Sequence, residues 1–456
     1  MKNVVIIPIE VYAREIEHKL LLAYYLASFR GYTVLLASDT LALQTALNLG
    51  EHAIYVGKNL FLQPDALPPG TQLTSKVDNT DLLRLLSRSV KIVFVDEEGG
   101  LFLDGSFSKH DCQSFMARLP LNPDQYSHKI HNLAFCHWGP YQSEIASQYC
   151  PNIVNISVGP PCVDAARAFS ALSDCDPASN LSSPRISVLG TTTVLTQGAF
   201  QQSCTYLAVD WFFKQYDSNY TAQALLAEVG AASAAHHLSK LGYRVEYRAH
   251  PGSGGLVLDQ WYKHCRSQGI HISFPHREPI LSFLSKSHLS LHTAGCTTSL
   301  LSYFLKRYSL RVGPAQCGTA SNLLQEPFID SIDEITYFIN DPKFPSLSTA
   351  ASRLIERPSA AGLVSFENIA NVIERFNSNI SSSLSLTSFV RNLELTSFPF
   401  VASRNLRHLR WWKMPKFSTF YQADIRQCFR VGQLVWPLSP PPRLVSKSSQ
   451  YLVISP

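Results

Sequence analysis

The sequence predicts an α/β protein of two Rossmann-like domains that face a central cleft, followed by an irregular basic C-terminal extension. Three observations support this fold class. Short apolar runs such as NVVIIPI and KIVFV alternate with helical patterns, which is typical of parallel sheets covered by helices on both faces. The alternation pauses in a stretch rich in Ser, Asp and Pro at 166–184 and then restarts. At 456 residues, the chain is also too long for one ordinary core.

The first domain is predicted over residues 1–165. Its apolar runs predict strands at 3–9, 32–38, 52–57, 90–98 and 131–139. Helical spacing predicts helices at 13–31, 39–50, 78–89 and 142–150. Gly31 and Gly50 are expected to end the first two helices, because glycine readily adopts the left-handed conformation that follows many helices. The segment NIVNISVGPPCVD closes this half, before the linker at 166–184.

The second domain is predicted over residues 185–378. Strands are expected at 185–190, 243–251, 270–275, 288–295 and 308–314. Helices are expected at 220–242, 258–269, 279–287, 296–307, 331–341 and 363–376. Ligands of open α/β sheets bind beyond the carboxyl ends of the strands, so the strand ends are where the chemistry is expected.

The composition narrows the class of partners. Charged residues make up only 16% of the chain and the net charge is +5, which does not favour nucleic acid as a partner but is compatible with an acidic small substrate. The ten cysteines include no CxxC pair, so we expect reduced thiols and a cytoplasmic protein. The longest apolar runs fall short of the length of a transmembrane helix.

An acidic cluster follows the fourth predicted strand in VDEEGG. A carboxylate at the end of a parallel strand, just before glycines, is well placed to act as a general base. Repulsion among Asp96, Glu97 and Glu98 is expected to raise the pKa of one of them. The alternative is a solvated turn or an acid that caps the next helix. Arg14 and Glu15 begin the first predicted helix, just after the first strand. They could therefore lie near the same strand-end site, or they could form an ordinary solvated first turn.

Three further stretches could bind a phosphate. In YRAHPGSGG, strand alternation places Arg248 and His250 on one face, before Pro251 and the flexible Gly252. In LHTAGCTTSLL, Thr297, Thr298 and Ser299 begin a helix whose dipole favours an anion. Gly190 and Thr191 follow the strand RISVL, without a Walker lysine. Each stretch also has a simpler explanation. Pro251 could merely end a strand, Thr297–Ser299 could be an ordinary Ser/Thr helix cap, and the residues after RISVL could continue that strand.

The order of these motifs carries more information than each motif alone. Glu97-Glu98-Gly99, His250-Pro251 and the hydroxyl cluster at 297–299 together resemble the motifs of bacterial CMP-sugar-dependent glycosyltransferases with the GT-B fold, a group that includes sialyltransferases and some Kdo transferases. More broadly, residues 4–315 resemble bacterial surface-carbohydrate biosynthesis proteins in segments such as IYVGKN, FCHWGPYQSE, RAHP and TAGCTTSLL.

The resemblance implies a role for each motif. The first domain would bind the acceptor, with Glu97 or Glu98 as the catalytic base. The second domain would bind the nucleotide, with His250 assisting the departing CMP and Thr297, Thr298 and Ser299 binding its phosphate. Their place near the strand ends, and not the resemblance, assigns Asp96, Arg14 and Glu15 to the acceptor side. The donor would be a CMP-linked sugar of the nonulosonate or Kdo type, and neither a metal nor a cofactor is expected.

The extension at 379–456 offers a separate expectation. Basic residues recur every third position in SRNLRHLRWWKMPKF, so residues 404–416 would either contact an anionic membrane, where lipid-linked acceptors lie, or form a packed helix with a solvated basic face. Other functions remain open on the same scaffold: a CDP-alcohol phosphotransferase, a nucleotide-sugar epimerase, or a non-catalytic glycan-assembly protein. The stretches GSGG and VGPPCVD, which depart from the family pattern, favour the last of these.

Overall fold

A computed structural model describes most of the regular elements of the chain. The described residues are 3–58, 80–97, 130–149, 153–174, 185–189, 234–248, 263, 266–267, 269–273, 278–292, 297–312, 324–325, 328–329, 334–341, 343–347, 363–376, 385–394, 420–448 and 450–456. Contacts divide the chain into two compact units. The first unit consists of Met1–Ala168, Ser352–Leu409 and Phe417–Pro456, and the second of Phe169–Ala351 and Arg410–Lys416.

The first unit is built around an eight-stranded sheet. Its strands are β1 (Val4–Ile9), β2 (Thr33–Ser38), β3 (Ala53–Gly57), β4 (Lys91–Val95), β5 (Leu133–His137), β6 (Val154–Ser157), β15 (Arg443–Lys447) and β16 (Tyr451–Ser455). Its helices include α1 (Tyr12–Arg30), α2 (Asp39–Leu49), α3 (Thr80–Ser87), α4 (Pro140–Tyr149), α5 (Pro161–Asp174), α9 (Val364–Arg375) and α10 (Gln422–Val435). The last residues of α5, from Phe169 onward, are assigned to the second unit.

The order of the strands is β15-β16-β2-β1-β3-β4-β5-β6. Strands β1 to β6 pair in parallel, with register pairs such as Val4 with Thr33 and Val4 with Ala53. All six side chains of β1 are buried, as expected of a central strand covered on both faces. Helix α1 ends at Gly31, which has a φ of 66° and donates its N–H to the carbonyl of Leu26, so this predicted stop is confirmed.

The C-terminal extension is regular where the structure describes its last part. Strand β16 pairs antiparallel with β2, and β15 pairs antiparallel with β16, so the chain end widens the first sheet. Helix α10 packs on α1, with Gly432 against the ring of Tyr24: a Cβ at Gly432 would lie 3.0 Å from the ring atoms. The expectation of an irregular extension is therefore wrong for residues 420–456, because β-branched and aliphatic residues near the chain end complete an open sheet edge.

Two helices lie differently from the expected domain boundaries. The helix that begins at Pro161 continues to Asp174, through the first part of the predicted linker at 166–184. Helix α9, expected to close the second domain, belongs to the first unit. The Asp164 carboxylate accepts hydrogen bonds from the backbone N–H and the hydroxyl of Ser365, at 2.8 and 2.6 Å. Asp164 thereby caps the start of α9 from another helix, a tertiary contact that no local pattern predicts.

The second unit contains a six-stranded sheet of order β13-β11-β10-β7-β8-β9, whose described pairs are parallel. Its strands are β7 (Arg185–Leu189), β8 (Arg244–Arg248), β9 (His271–Ser273), β10 (Leu289–His292), β11 (Tyr308–Val312) and β13 (Phe328–Ile329). Strands β12 (Leu324–Gln325) and β14 (Ser346–Leu347) form a separate antiparallel pair. The described helices include 234–240, α6 (Ile280–Ser285), α7 (Thr297–Phe304) and α8 (Ile335–Asn340).

The core of the second unit is aliphatic. It contains Ile186, Val188, Leu289, Leu291 and Leu310, all buried on the inner strands. The predicted α/β class with two Rossmann-like sheets is confirmed. None of the helices in the described ranges is long and apolar enough to cross a membrane. The described cysteines, Cys136, Cys162 and Cys428, are free thiols.

Candidate functional site

The ends of three neighbouring strands bring charged side chains together in the first unit. Glu10 follows β1, Lys58 follows β3, and Glu97 follows β4 after one intervening residue. Strands β1, β3 and β4 are neighbours and run in parallel, so their carboxyl ends lie on the same edge of the sheet. This is the edge at which open α/β sheets bind ligands.

The first turns of α1 supply the other members of the group. Arg14, Glu15, His18 and Lys19 come from the start of this helix, and Glu15 and Lys19 share one face because they are four residues apart. The side chain of Glu15 is fully buried and that of Lys19 is 3% exposed. Two charged side chains at this depth require partners.

Lys19 is the centre of the group. Its Nζ lies 2.8 Å from Glu15 Oε2 and 3.0 Å from Glu97 Oε1, and it donates to the carbonyl oxygen of Pro8 at 2.8 Å. These three contacts use the three hydrogens of the ammonium group. The Nε2 of His18 lies 3.7 Å from Glu97 Oε1.

Lys58 closes the group from the other side. Its Nζ lies 3.0 Å from Glu15 Oε1, 3.4 Å from Glu97 Oε2 and 3.8 Å from Glu10 Oε2. Arg14 adds a hydrogen bond of 3.1 Å to Glu15 Oε1. We call this group the strand-end ion cluster; its members are Glu10, Arg14, Glu15, His18, Lys19, Lys58 and Glu97. Besides His18, the cluster contains three carboxylates and three cations.

The pairing decides the protonation of the cluster. Burial acts to raise the pKa of Glu15, but Lys19, with help from Lys58 and Arg14, lowers it to about 2. The same competition leaves the pKa of Glu97 well below its usual value, because Lys19 and Lys58 outweigh burial. Burial opposes the charge of Lys19 as well, yet Glu15 and Glu97 raise its pKa. The expectation of a raised pKa is therefore wrong for Glu97, whose nearest partners are cations.

Asp96 lies beside the cluster and is buried. Its backbone N–H donates to the carbonyl of Cys136 at 3.0 Å, and its own carbonyl accepts from Nε1 of Trp138 at 2.7 Å. The side-chain oxygen of Gln142 accepts from the backbone N–H groups of Trp138 and Gly139, at 2.8 and 3.2 Å. These bonds fix the end of β4 against the turn that begins α4. Glu98 lies outside the described residues.

In the second unit, Arg248 ends β8 and is 3% exposed. Its guanidinium donates to the carbonyl of Glu278 at 2.7 Å and lies 4.7 Å from the ring centre of Phe283. Arg185 lies over the same ring and pairs with Glu246. Arg248 is thus held by groups of its own unit. Its predicted neighbours His250, Pro251 and Gly252, and also Gly190 and Thr191, lie outside the described residues.

The predicted hydroxyl cluster does begin a helix. Helix α7 starts at Thr297, and Ser299 is buried whereas Thr297 and Thr298 are half-buried. A polar chain runs beneath this helix. His292 Nε2 lies 3.1 Å from Ser290 Oγ, Ser290 Oγ lies 2.9 Å from Ser302 Oγ, and Ser302 donates to the carbonyl of Thr298 at 3.0 Å. Burial lowers the pKa of His292 to about 3, so this imidazole is neutral.

Sequence reasoning singled out Glu97, Arg14 and Glu15 but missed Lys19, Lys58 and His292. Lys19 had a signal, because a Glu–Lys pair four residues apart interrupts an otherwise apolar helix face. Lys58 directly follows the strand IYVG and stands at a strand end, like Glu97. His292 ends the strand LSLH in the same way. Lys58 and His292 were hidden because a single cation or histidine at the end of a strand is common.

The cluster can hold a carboxylate ionised and in a fixed position at the sheet edge. A carboxylate with so low a pKa is a weak proton acceptor, since a general base works best with a pKa near the working pH. Among the residues that the structure describes, no group of three or more His, Cys, Asp and Glu side chains is arranged to hold a metal ion. The expectation of metal-independent chemistry stays a prediction.

No protein-family model matches the chain, and no curated protein matches it at a significant level. Among solved structures, it is similar to the UDP-GlcNAc 2-epimerase of Methanocaldococcus jannaschii in complex with UDP-GlcNAc and UDP, with 11% identity, a TM-score of 0.46, and coverage of 82% of this chain and 100% of the other.

Two further solved structures resemble the chain at similarly low identity. UGT89C1 of Arabidopsis thaliana complexed with UDP has 14% identity and a TM-score of 0.41, covering 83% of this chain and 100% of the other. The wall teichoic acid polymerase TagF has 12% identity and a TM-score of 0.34, covering 88% and 89%. At these identities and TM-scores the likenesses assign no activity to this chain.

Proposed function

We propose that the protein is a glycosyltransferase of surface-polysaccharide biosynthesis that transfers a nonulosonate- or Kdo-type sugar from a CMP-sugar to a glycan acceptor with inversion. The observation that carries the proposal is the strand-end ion cluster. It holds Glu97, a member of the acid-acid-Gly motif, at the ligand-binding edge of a parallel sheet. The His-Pro and hydroxyl motifs follow in the order that the resemblance requires.

The two acids of the motif receive different roles in this proposal. Glu97 is paired with Lys19 and Lys58 and keeps a low pKa, so it anchors the motif rather than taking a proton. The base is therefore Glu98. It takes the proton of an acceptor hydroxyl as that oxygen bonds to the anomeric carbon, while the bond from this carbon to the phosphate oxygen breaks and CMP leaves.

The second unit is proposed to bind the nucleotide. His250 and the hydroxyls of Thr297, Thr298 and Ser299 would contact the phosphate of the departing CMP, and the N-terminus of α7 would favour its negative charge. This is electrostatic stabilisation by groups already in place, which needs neither a metal nor a cofactor. Arg248 supports the same strand end through Glu278 and Phe283.

The acceptor is proposed to be a glycan or a lipid-linked glycan at the inner face of the cytoplasmic membrane. The basic stretch 404–416, which lies outside the described residues, is proposed as one membrane contact of this cytoplasmic enzyme.

The experiment measures turnover of CMP-sugars and, separately, the thermal midpoint of unfolding. Glu98→Gln and His250→Ala should each lower kcat by about 10²–10⁴-fold with the midpoint unchanged. Glu97→Gln should lower the midpoint, because Lys19 and Lys58 lose a partner. Glu51→Gln, on an exposed acid, is the matched control.

Mass spectrometry of the product completes the test. A transferred sugar together with free CMP supports the proposal. A phosphodiester product would identify an alcohol phosphotransferase and an epimerised donor would identify an epimerase. Full turnover in Glu98→Gln, or no binding of CMP by calorimetry, would overturn the proposal.

A further inference from the structure

The charges of this protein are unevenly distributed along the chain. Of its 39 lysines and arginines, nine lie within residues 395–456, whereas only one of its 34 acidic residues, Asp424, lies there. The mild net charge of +5 therefore conceals a strongly basic C-terminal part. Such an asymmetry points to an anionic partner for this part of the chain.

The one acid does not offset the basic charges on the surface. Asp424 is 9% exposed, and its carboxylate accepts a hydrogen bond of 2.7 Å from the hydroxyl of Tyr12. The four basic side chains of the described part are all exposed: Arg426, Arg430, Arg443 and Lys447. Within the described ranges, none of them forms an ion pair with a carboxylate.

The basic residues lie on two adjoining elements. Arg426, Arg430 and Leu434 are exposed at four-residue intervals and so form one stripe along α10. Lys447 donates to the side-chain oxygen of Gln422 at 3.2 Å, which joins the end of β15 to the start of α10. Strand β15 is the outer strand of the sheet, and no described strand covers its free edge.

An exposed leucine stands between these two elements. Leu438 is 98% exposed. It lies in the turn Trp436–Ser439. Ser439 donates to the Trp436 carbonyl through its backbone N–H at 3.1 Å and through its hydroxyl at 2.9 Å. Pro437 occupies the second position of the turn, where proline is favoured. The ring of Trp436 stacks on Tyr24 with centroids 5.9 Å apart. The turn is therefore fixed on the core and holds Leu438 out in solvent.

We infer that this C-terminal basic surface docks on an anionic lipid bilayer. The surface consists of Arg426, Arg430, Leu434, Leu438, Arg443 and Lys447. Basic side chains near a bilayer are attracted to anionic headgroups, and an exposed aliphatic side chain between them enters the boundary of the acyl chains. The two signals act together, as stable attachment to a membrane requires. A protein partner would leave the excess of unpaired arginines unexplained unless it were itself acidic.

Co-sedimentation of the full chain with large vesicles tests this inference. One vesicle contains phosphatidylcholine alone and the other contains one third phosphatidylglycerol. The wild type should bind the anionic vesicle, less at high salt, and bind the neutral vesicle weakly. Arg426→Gln with Arg430→Gln should lower the partition coefficient about 25-fold, at about fivefold for each charge. Leu438→Ser should lower it several-fold.

Matched controls lie elsewhere on the chain. Arg84→Gln with Arg88→Gln removes two exposed arginines that are also four residues apart, and Leu241→Ser removes another leucine, which is 50% exposed. Both controls should bind like the wild type. Because all the substituted residues are exposed, circular dichroism and the unfolding midpoint should match the wild type in every variant.

Several outcomes would overturn the inference. One is equal binding to both vesicles, and another is wild-type binding by the Arg426/Arg430 and Leu438 variants. If binding disappeared only when the five basic residues at 404–416 were replaced by glutamine, that stretch would be the lipid contact and this surface would not. A change from dimer to monomer in Leu438→Ser, measured by analytical ultracentrifugation, would identify a second copy as the occupant.

Discussion

In the first unit, the charged residues at the strand ends form one dense ion cluster, whereas at two strand ends of the second unit a histidine lies beside a hydroxyl and an arginine lies beside an aromatic ring and a backbone carbonyl. Glu15, Lys19, Lys58 and Glu97 are buried as ions because each has partners of opposite charge within 4 Å. His292 is buried as a neutral ring beside serines, and Arg248 lies against Phe283 and a backbone carbonyl. Similar positions on two similar sheets thus have different electrostatic environments.

The difference shows what a strand end requires of the residues around it. A buried charge is tolerated when several elements supply its partners, as α1, β3 and β4 do for the strand-end ion cluster. His292, whose described side-chain contact is the hydroxyl of Ser290, loses its charge instead because burial lowers its pKa. The first site therefore keeps its charge at neutral pH and responds only to strong acid, whereas the second contributes a pH dependence closer to neutrality.

The largest effect is expected when one ion of the first unit is removed. Glu15→Gln leaves Lys19 and Lys58 buried with too few partners, so the free energy of unfolding should fall by about 3–5 kcal/mol. Urea denaturation followed by circular dichroism measures this loss. Asp81→Asn, which breaks the exposed pair of Asp81 and Arg84, should cost less than about 1 kcal/mol.

The double variant Glu15→Met with Lys19→Met sharpens this result. It removes a positive and a negative charge together, so it should be less destabilising than Glu15→Gln alone. If Glu15→Gln were no worse than Asp81→Asn, the cluster would not be a buried ionic unit.

The pH dependence of stability separates the two units. Burial lowers the pKa of His292 from 6.5 to about 3, so only the unfolded state takes up this proton between those values. Stability from this residue is present above pH 6.5 and falls as the pH drops towards 3, by up to about 1.4 kcal/mol for each pH unit. His292→Gln should remove that slope. In the wild type, the free energy of unfolding attributed to His292 should differ by about 2–3 kcal/mol between pH 4.5 and 7.5, as measured by urea denaturation at the two pH values.

The acids of the first unit act in a lower window. The pKa of Glu15 is lowered from 4.5 to about 2, so its contribution is present above pH 4.5 and is lost as the pH falls through 2. The pKa of Glu97 is also lowered by Lys19 and Lys58, so its contribution to stability is likewise lost in acid. A His292→Gln variant with the full wild-type slope between pH 6.5 and 4.5 would show that His292 is not the residue responsible.

A smaller effect is expected at Arg248. Arg248→Lys keeps the charge but loses the planar contact with Phe283 and weakens the hydrogen bond to Glu278, at a cost of about 1–2 kcal/mol. Arg244→Lys, on an exposed arginine of the same strand, is the control. Calorimetry with CMP distinguishes a structural role from phosphate binding, since only a phosphate contact would weaken the affinity of Arg248→Lys far beyond its change in stability.

Much of the fold was predictable because its signals are local. Apolar runs predicted β1–β5 and β7–β11, and Gly31 predicted the end of α1. Glu97 and Glu15 were predictable as candidates because strand ends are the expected site of function. Lys19 and Lys58 were not, because their importance depends on the lateral order of β1, β3 and β4, which is a property of the sheet.

Local patterns are enough to predict the α/β class, the two successive sheets and the polar residues near several strand ends. These features depend on periodicity and on residues close in the chain. Long-range packing, in contrast, joins β16 to β2, caps α9 with Asp164 and brings Glu97 to two lysines. Such contacts join residues far apart in the chain, and their energies depend on burial and on partners that no local pattern specifies. The pKa of Glu97 was therefore decided by packing: three adjacent acids predict repulsion, and the contacts with Lys19 and Lys58 reverse it.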